Sequence, residues 1–597
     1  MFQTTDELLG KRGAPSLPTN VSEERLPGLF LTAFENKVND IRNCLDGLTP
    51  IALRQVGRTD IPILDFPPLS KFEEIDEKTV KDIILESPSK SCELDSIPTN
   101  LMKSCINELL PAITSIINTS LSTGHVPTIF KRAIIKPLLK KHNLDQNDLK
   151  NYRPVSNLPF LSKILEKVVL KQLLQHFDLN KLRETFQSAY RALHSTETAL
   201  VRVFNDIIMS LDSGNVCLLS LLDLSAAFDT IDHNILLNRL KTNFNITGNS
   251  LLWFESYLKA QTQCVKVGNA YSDEVVLPFG VPQGSVLGPI LFTVYMQPAA
   301  NIIRNYNLQY HQYADDTQIY KALNIKHLNL LTKTTEDCVS DLKSWMTQNK
   351  LQLNESKTEI VLFGKPTDLK KTDNQVLEIN SSNVVPSRKA KNLGIIFDQT
   401  LSMNDHVSSV CKTLYFEISR ISLIRRYLSF DVTVTLMVSL VLSKLDYGNA
   451  LLSGLSLDQL NKLQKVQNHA AKIIYKKKKN EHVKPLLKSL HWLPVKERID
   501  YKIATIVFKC LNNLAPQYLQ ELLHLNLSKT SRCLRSTSDK TLLFIPKTNL
   551  KSFGDRSFEF YGPYVWNSLP RAIRESASLE TFKKALKSHL FSNAFGF

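Results

Sequence analysis

Along most of this chain apolar residues recur at helical spacing, and a few stretches break that rhythm. The spacing predicts helices over 29–45, where Leu29, Phe30, Phe34, Val38 and Ile41 recur, and through 72–122 in two parts separated by SCELDSIPTN. Further helices are predicted at 161–174, 196–211, 286–296, 328–348, 407–428, 432–445, 457–475 and 495–511. Three stretches read as β structure. Ala133 to Leu139 is a candidate strand. Val216 to Leu222 is a nearly continuous apolar run, short enough for a strand buried on both faces, with Asp223 where it should end. YHQYADDTQIY alternates into a tight turn and out again, which predicts a hairpin with Tyr313, Ala314, Asp315 and Asp316 at its tip. A helix after Asp223 is expected to be capped by Thr230 or Asp232, with Ile235, Leu236 and Leu240 facing inward. Strands and helices so mixed predict an α/β fold.

The chemistry sits at the strand ends. Adjacent carboxylates at a turn repel and raise each other's pKa, and a divalent cation between them removes the conflict. A lone Ala-Asp-Asp is ordinarily a solvated turn, since Asp suits turns. Asp223, closing a separate buried strand, changes that reading. Three such acids are how a chain holds two magnesium ions, with manganese as the alternative; ions roughly 4 Å apart clamp the oxygens of an in-line phosphoryl displacement. In GVPQGSVLGP, Gly280 and Gly284 allow the backbone close to a ligand, Pro282 stiffens the turn, and Gln283 can reach a nucleotide or a template base.

Composition narrows the setting. The chain has 597 residues, room for several domains, and its 43% hydrophobic and 8% aromatic content implies packed structure. A net charge of +16 suits a polyanionic partner such as nucleic acid. The nine cysteines are scattered without a Cys-x-x-Cys pair, which argues against a zinc finger and a disulfide framework. The start lacks a signal peptide's apolar core, and the longest apolar tract, 432–442, is short of the about 18 residues of a membrane span. A soluble intracellular protein is expected.

These residues together resemble a family. Asp223 with Phe228, GVPQGSVLGP, YADD and LGIIFD occur in the order found in reverse transcriptases, and the wording is similar to that of non-LTR, LINE-type, jockey-like retrotransposons. KNYRPVSNLPFLSKILEKVV and FQSAYRALHSTETAL extend the resemblance, which spans roughly 133–398. It implies a right-hand polymerase: an N-terminal linker and helical extension over 1–122, fingers and an α+β palm over 123–400, a helical thumb with an extension over 401–525, and a small packed segment of underived function over 526–597.

The roles follow residue by residue. Asp223, Asp315 and Asp316 would hold the metal ions, and Lys357 would stand near the leaving pyrophosphate. Lys136 and Arg153 would meet the triphosphate, where a guanidinium fork suits phosphate oxygens. Phe228 would lie under the sugar and exclude a 2′-hydroxyl, selecting deoxynucleotides; Asp229 after it has no role from sequence. Gln283 and Gly284 would approach the nucleotide. Gln187, Ser188, Arg191 and Tyr313 would line the template and primer path, and Leu393 and Gly394 would form the hairpin gripping the primer end. The partners implied are an RNA template, a DNA primer or target DNA, and deoxynucleoside triphosphates, in a ribonucleoprotein of the nucleus and cytoplasm. The endonuclease that precedes the polymerase in such elements is expected to be absent. Lys476 to Lys479 suit nucleic acid or nuclear import, or a solvated helix end. Two rivals share these features: an RNA-directed RNA polymerase, which Phe228 and YADD oppose, and a decayed or co-opted copy that only binds nucleic acid.

Overall fold

The computed structural model describes residues 17–47, 65–141, 144–372, 377–379, 382–478, 480–526 and 541–596. The expected loops before residue 17 and around 48–64, Lys479, and the first part of the C-terminal segment (527–540) lie outside them. Helix α1 (Leu26–Asp46) has a proline in its first turn, where the missing N–H costs no hydrogen bond. Its Phe30, Leu31 and Phe34 are buried with Ile135, Tyr152 and Val265, and Phe30 meets Tyr152 edge-on at 4.9 Å. The stretch expected to be helical over 72–122 forms α2 (Glu77–Glu86), capped by Asp76, a short helix at Thr99–Ser104, and α3 (Ile106–Thr123).

Strands β1 (Arg132–Leu139) and β2 (Tyr152–Asn157) pair antiparallel, setting Lys136 opposite Val155 and Leu138 opposite Arg153. Helix α4 (Phe160–Leu179) follows, and α5 (Thr196–Asp212) starts with a Ser195–Thr198 capping box. After β3 (Val216–Leu222), Asp232 caps α6 (His233–Phe244) by accepting from the N–H groups of Asn234 and Ile235. β4 (Thr262–Val267) runs parallel to β1, so the first sheet is ordered β2-β1-β4, with two short strands beyond. Helix α7 (Gly288–Met296) precedes the hairpin β5 (Gln309–Tyr313) and β6 (Asp316–Leu323), then α8 (Leu328–Gln348) and β7 (Glu359–Phe363).

The second sheet is antiparallel, in the order β7-β3-β6-β5. The unbroken apolar run of β3 has a simple cause. Cys217 and Leu219 enter one hydrophobic core, while Val216, Leu218 and Leu222 enter another. An interior strand with a core on each face has no polar side to show.

The hairpin β8 (Lys389–Asn392) and β9 (Ile395–Asp398) leads into helices: α9 (Asn404–Ile424), α10 (Leu457–Ile474) and α11 (Val495–Leu511). The helix expected over 432–445 is broken by a π turn at Val438–Leu442. Helices α12 (Phe558–Ser568) and α13 (Leu579–Phe595) pack on α11, with Phe508 stacked on Phe582 at 4.3 Å. The C-terminal segment therefore shares its core with α5, α9, α10 and α11. Packing crosses the boundary expected at 526. The Asp212 carboxylate at the end of α5 accepts from the backbone N–H groups of Asn549 (2.9 Å), Leu550 (2.7 Å) and Gly554 (3.2 Å). The overall class is mixed α/β. Among the described residues no helix is long and apolar enough to cross a membrane.

Candidate active site

The site begins at the seam between β3 and β6. Their register pairs Leu222 with Thr317, so one step further sets Asp223 across from Asp316, the first residue of β6. Tyr313 pairs with Asp316 and leaves Ala314 and Asp315 as the turn. Ala314 has φ 56°, a left-handed conformation that costs a residue with a Cβ about 1 to 2 kcal/mol. Lys357 reaches the same place from another element. Residues 352 and 353 pair with 225 and 224, the N–H of Asn354 donates to the Asp223 carbonyl at 2.8 Å, and the Lys357 Nζ lies 2.9 Å from the Asp223 carboxylate. Asp223, Asp316, Lys357, Lys391 and Leu393 line one cleft.

The electrostatics are those of acids held too close. Desolvation and the neighbouring carboxylates of Asp315 and Asp223 push Asp316 up to about 6, with Lys357 opposing. Burial also raises Asp315, and Asp223 adds to it, while its own backbone N–H, Arg153 and Lys357 pull it down. An all-oxygen donor set under mutual repulsion fits a hard divalent cation. Among the described residues no three acidic, His or Cys side chains close into a ready cage, and Asp223 is engaged by Lys357, so a cation here displaces that ion pair.

Around the acids, Arg153 is exposed on β2 and close enough to Asp315 to act on its charge. Lys136 stands at the surface 3.5 Å from Glu93, which also binds Lys266 (2.5 Å) and the Tyr271 hydroxyl (2.7 Å). Its expected role on a triphosphate competes with that cluster. Phe228 is half-buried, its ring stacked on Phe292 of α7 at 4.7 Å. The Gln283–Gly284 loop is pinned to the chain itself: the N–H of Ser156 donates to the Gln283 carbonyl at 2.8 Å, and a Cβ on Gly284 (φ 135°) would sit 2.4 Å from the Ser156 carbonyl. The close approach that this glycine permits is to β2. Beneath the loop, the buried Glu166 accepts from the N–H groups of Val286 (2.7 Å) and Leu287 (2.9 Å), and burial pushes its carboxyl up to about 7.

Residues 139–397 match the family described as reverse transcriptase (RNA-dependent DNA polymerase). This stretch belongs to the reverse transcriptase family. The chain is similar to the probable RNA-directed DNA polymerase from transposon X-element of Drosophila melanogaster, 26% identical over 71% of this chain and 45% of that protein. It is also similar to the RNA-directed DNA polymerase from mobile element jockey of the same fly, 27% identical over 65% of this chain and 42% of the relative. A third relative, the probable RNA-directed DNA polymerase from transposon BS, is 27% identical over 68% of this chain and 44% of its own length. The chain thus spans less than half the length of these relatives. Reverse transcriptases generally use divalent metal ions, which agrees with the donor set above.

Behind its acidic turn the reverse transcriptase region carries a buried polar network. Gln187 and Ser188, expected along the template, are 7% and 1% exposed and committed to the fold. Gln187 Oε1 accepts from the N–H of Ala314 at 3.1 Å, and its Nε2 donates to the Ala314 carbonyl at 3.3 Å. Both backbone groups of the strained turn residue are held by this one side chain. The Ser188 hydroxyl bonds His311 Nε2 at 2.8 Å and the Tyr518 hydroxyl at 2.9 Å. Burial pushes His311 down to about 3, so it is neutral. Arg191 is half-buried and donates to the Glu184 carbonyl at 2.9 Å, and Tyr313 is half-buried at the end of β5. Leu393 lies in the acidic cleft, its carbonyl accepting from the Tyr447 hydroxyl at 2.7 Å. Gly394 (φ 92°) passes under the Tyr447 ring, where a Cβ would meet it at 3.0 Å. Sequence reasoning missed Tyr447, His311 and Tyr518. Tyr310, His311 and Gln312 are all buried, so the alternation of YHQY carries no signal for His311.

Proposed function

We propose that the chain is an RNA-directed DNA polymerase of a non-LTR retrotransposon, extending a primer with deoxynucleotides on an RNA template. The observation that carries this reading is the seam itself: β3 and β6 bring Asp223 and Asp316 to one cleft, with Lys357 2.9 Å from Asp223. In this reading the first sheet and α4 form the fingers and the second sheet the palm. The helices from α9 onward make the thumb and its extension, and the segments before residue 123 and after 525 are extensions of the hand.

The reaction joins the primer 3′-oxygen to the α-phosphorus of the incoming nucleotide and releases pyrophosphate. Asp223, Asp315 and Asp316 are the residues that would hold two magnesium ions; when bound, these supply a lowered pKa at the primer hydroxyl and neutralise charge on the phosphates. The rest falls to the chain. Arg153 binds triphosphate oxygens, with Lys136 free to join it on leaving Glu93. Lys357, released from Asp223, meets the charge of the leaving pyrophosphate. Phe228, braced by Phe292, closes the space a 2′-hydroxyl would need. Leu393 and Gly394 present a backbone turn to the primer end, with Arg191 and Tyr313 nearer the template path. Catalysis is then placement and charge neutralisation.

The test is primer extension by the purified chain on a polyribonucleotide template. The wild type should incorporate deoxynucleotides in preference to ribonucleotides, and Asp315→Ala should abolish incorporation while leaving template binding nearly intact. Preference for ribonucleotides, or undiminished extension by the variant, would reject the reading.

A further inference from the structure

The turn after Phe228 carries a contact that the proposed chemistry leaves unused. Gln283 Nε2 donates to both carboxylate oxygens of Asp229, at 2.7 Å and 2.9 Å. Two backbone bonds fasten the same two segments: Val281 N–H to the Phe228 carbonyl (3.0 Å) and Gly280 N–H to the Ile231 carbonyl (2.8 Å). Asp229 and Gln283 line a cleft closed on its other side by α1, which contributes Phe34, Lys37 and Val38. Helix α1 is anchored over this turn by Arg42, paired with Asp232 at 2.8 Å and lying over the Phe279 ring at 3.9 Å.

A carboxylate accepts hydrogen bonds and donates none. Facing it, a glutamine amide must turn its NH₂ group inward, and its Oε1 outward. Gln283 Oε1 accepts no hydrogen bond among the described residues. Asp229 thereby decides which end of the amide is presented beside Phe228. We infer that Asp229 is a positioning residue that locks the Gln283 amide with its carbonyl oxygen toward the incoming nucleotide, as an acceptor for a sugar hydroxyl. The inference rests on the polymerase reading. Burial raises the Asp229 carboxyl, while the Gln283 amide and the Lys37 ammonium of α1 hold it down, so the nearby cation helps keep the acceptor charged.

The experiment is steady-state single-nucleotide incorporation, comparing deoxynucleotides with 3′-deoxy analogues, for wild type, Asp229→Asn, Gln283→Ala and the double variant. Asp229→Asn is nearly isosteric but lets the amide flip. It should raise KM for the deoxynucleotide by up to roughly tenfold, the worth of one neutral hydrogen bond, with kcat changed far less. It should also narrow the preference over the 3′-deoxy analogue. In the Gln283→Ala background the same change should have no further effect. Should Asp229→Asn not fold, Gln283→Ala alone must still narrow that preference. A wild type that extends primers beside an Asp229→Asn variant with unchanged KM and selectivity overturns this assignment alone. Additive effects in the double variant, or unchanged selectivity in Gln283→Ala, do the same. A wild type that extends nothing removes both the assignment and the reading beneath it.

Discussion

The turn Tyr313–Asp316 has two faces built on opposite principles. In front, Asp223 and Asp316 line an open cleft, and with Asp315 beside them the acids stand at each other's expense, Asp316 pushed up to about 6. Behind, Gln187, Ser188, His311 and Tyr518 are buried, and their side chains hydrogen-bond one another, the turn backbone, Ala189 and Thr198. The front stores electrostatic conflict that a bound cation would relieve. The back supplies the rigidity that lets the conflict persist, including the hold on a left-handed Ala314. Polar residues with similar motif credentials thus divide between chemistry and scaffolding.

That contrast can be broken in graded ways. The largest effect is expected from Asp223→Asn, which should lower primer extension by roughly a thousandfold or more, as loss of a charge-stabilising group does, without lowering the melting temperature. An equal loss of both would erase the distinction between faces. Next, Gln187→Ala leaves a buried Ala314 N–H unpaired and should cost about 1 to 3 kcal/mol in chemical denaturation, with activity falling as the turn loosens. Tyr518→Phe keeps the ring and deletes the hydroxyl shared with Ser188 and Thr198. A loss of about 1 kcal/mol is expected, with kcat nearly unchanged.

The smallest effect has the opposite sign. Asp316 is raised from 3.8 to about 6 in the folded chain, so between those pH values the folded state binds the extra proton. Stability without metal therefore falls as pH rises through that window, and the penalty remains above it. Asp316→Asn should melt slightly higher than its parent at pH 7.5 in chelator, with the gap closing toward pH 4. A variant that melts lower at pH 7.5 would place Asp316 among the scaffolding residues.

Much of the fold was legible because its signals were local. The apolar run of β3, the alternation around YADD and the Asp232 cap of α6 are written in adjacent residues, and the observed elements follow them closely. Asp223 and the Asp315–Asp316 tip were legible as a pair of strand-end acids. What escaped was set by long-range packing. Ser188 reads as a loop polar residue until Tyr518, far along the chain, closes over it. Lys136 reads as a free cation until Glu93 is folded beside it. Gly284 reads as room for a ligand, whereas the room is taken by the carbonyl of Ser156. In each case the partner lies in a distant segment that spacing cannot reveal.

The central claim is that Asp223 and the tip of the β5–β6 hairpin act as one cation site. Manganese binding followed by electron paramagnetic resonance tests it without requiring turnover. The wild-type chain should bind the ion, and Asp223→Asn and Asp316→Asn should each weaken binding by at least roughly tenfold, one charged ligand's worth. If Asp223→Asn binds manganese as tightly as the wild type, the two strand ends do not share a site, and the account fails.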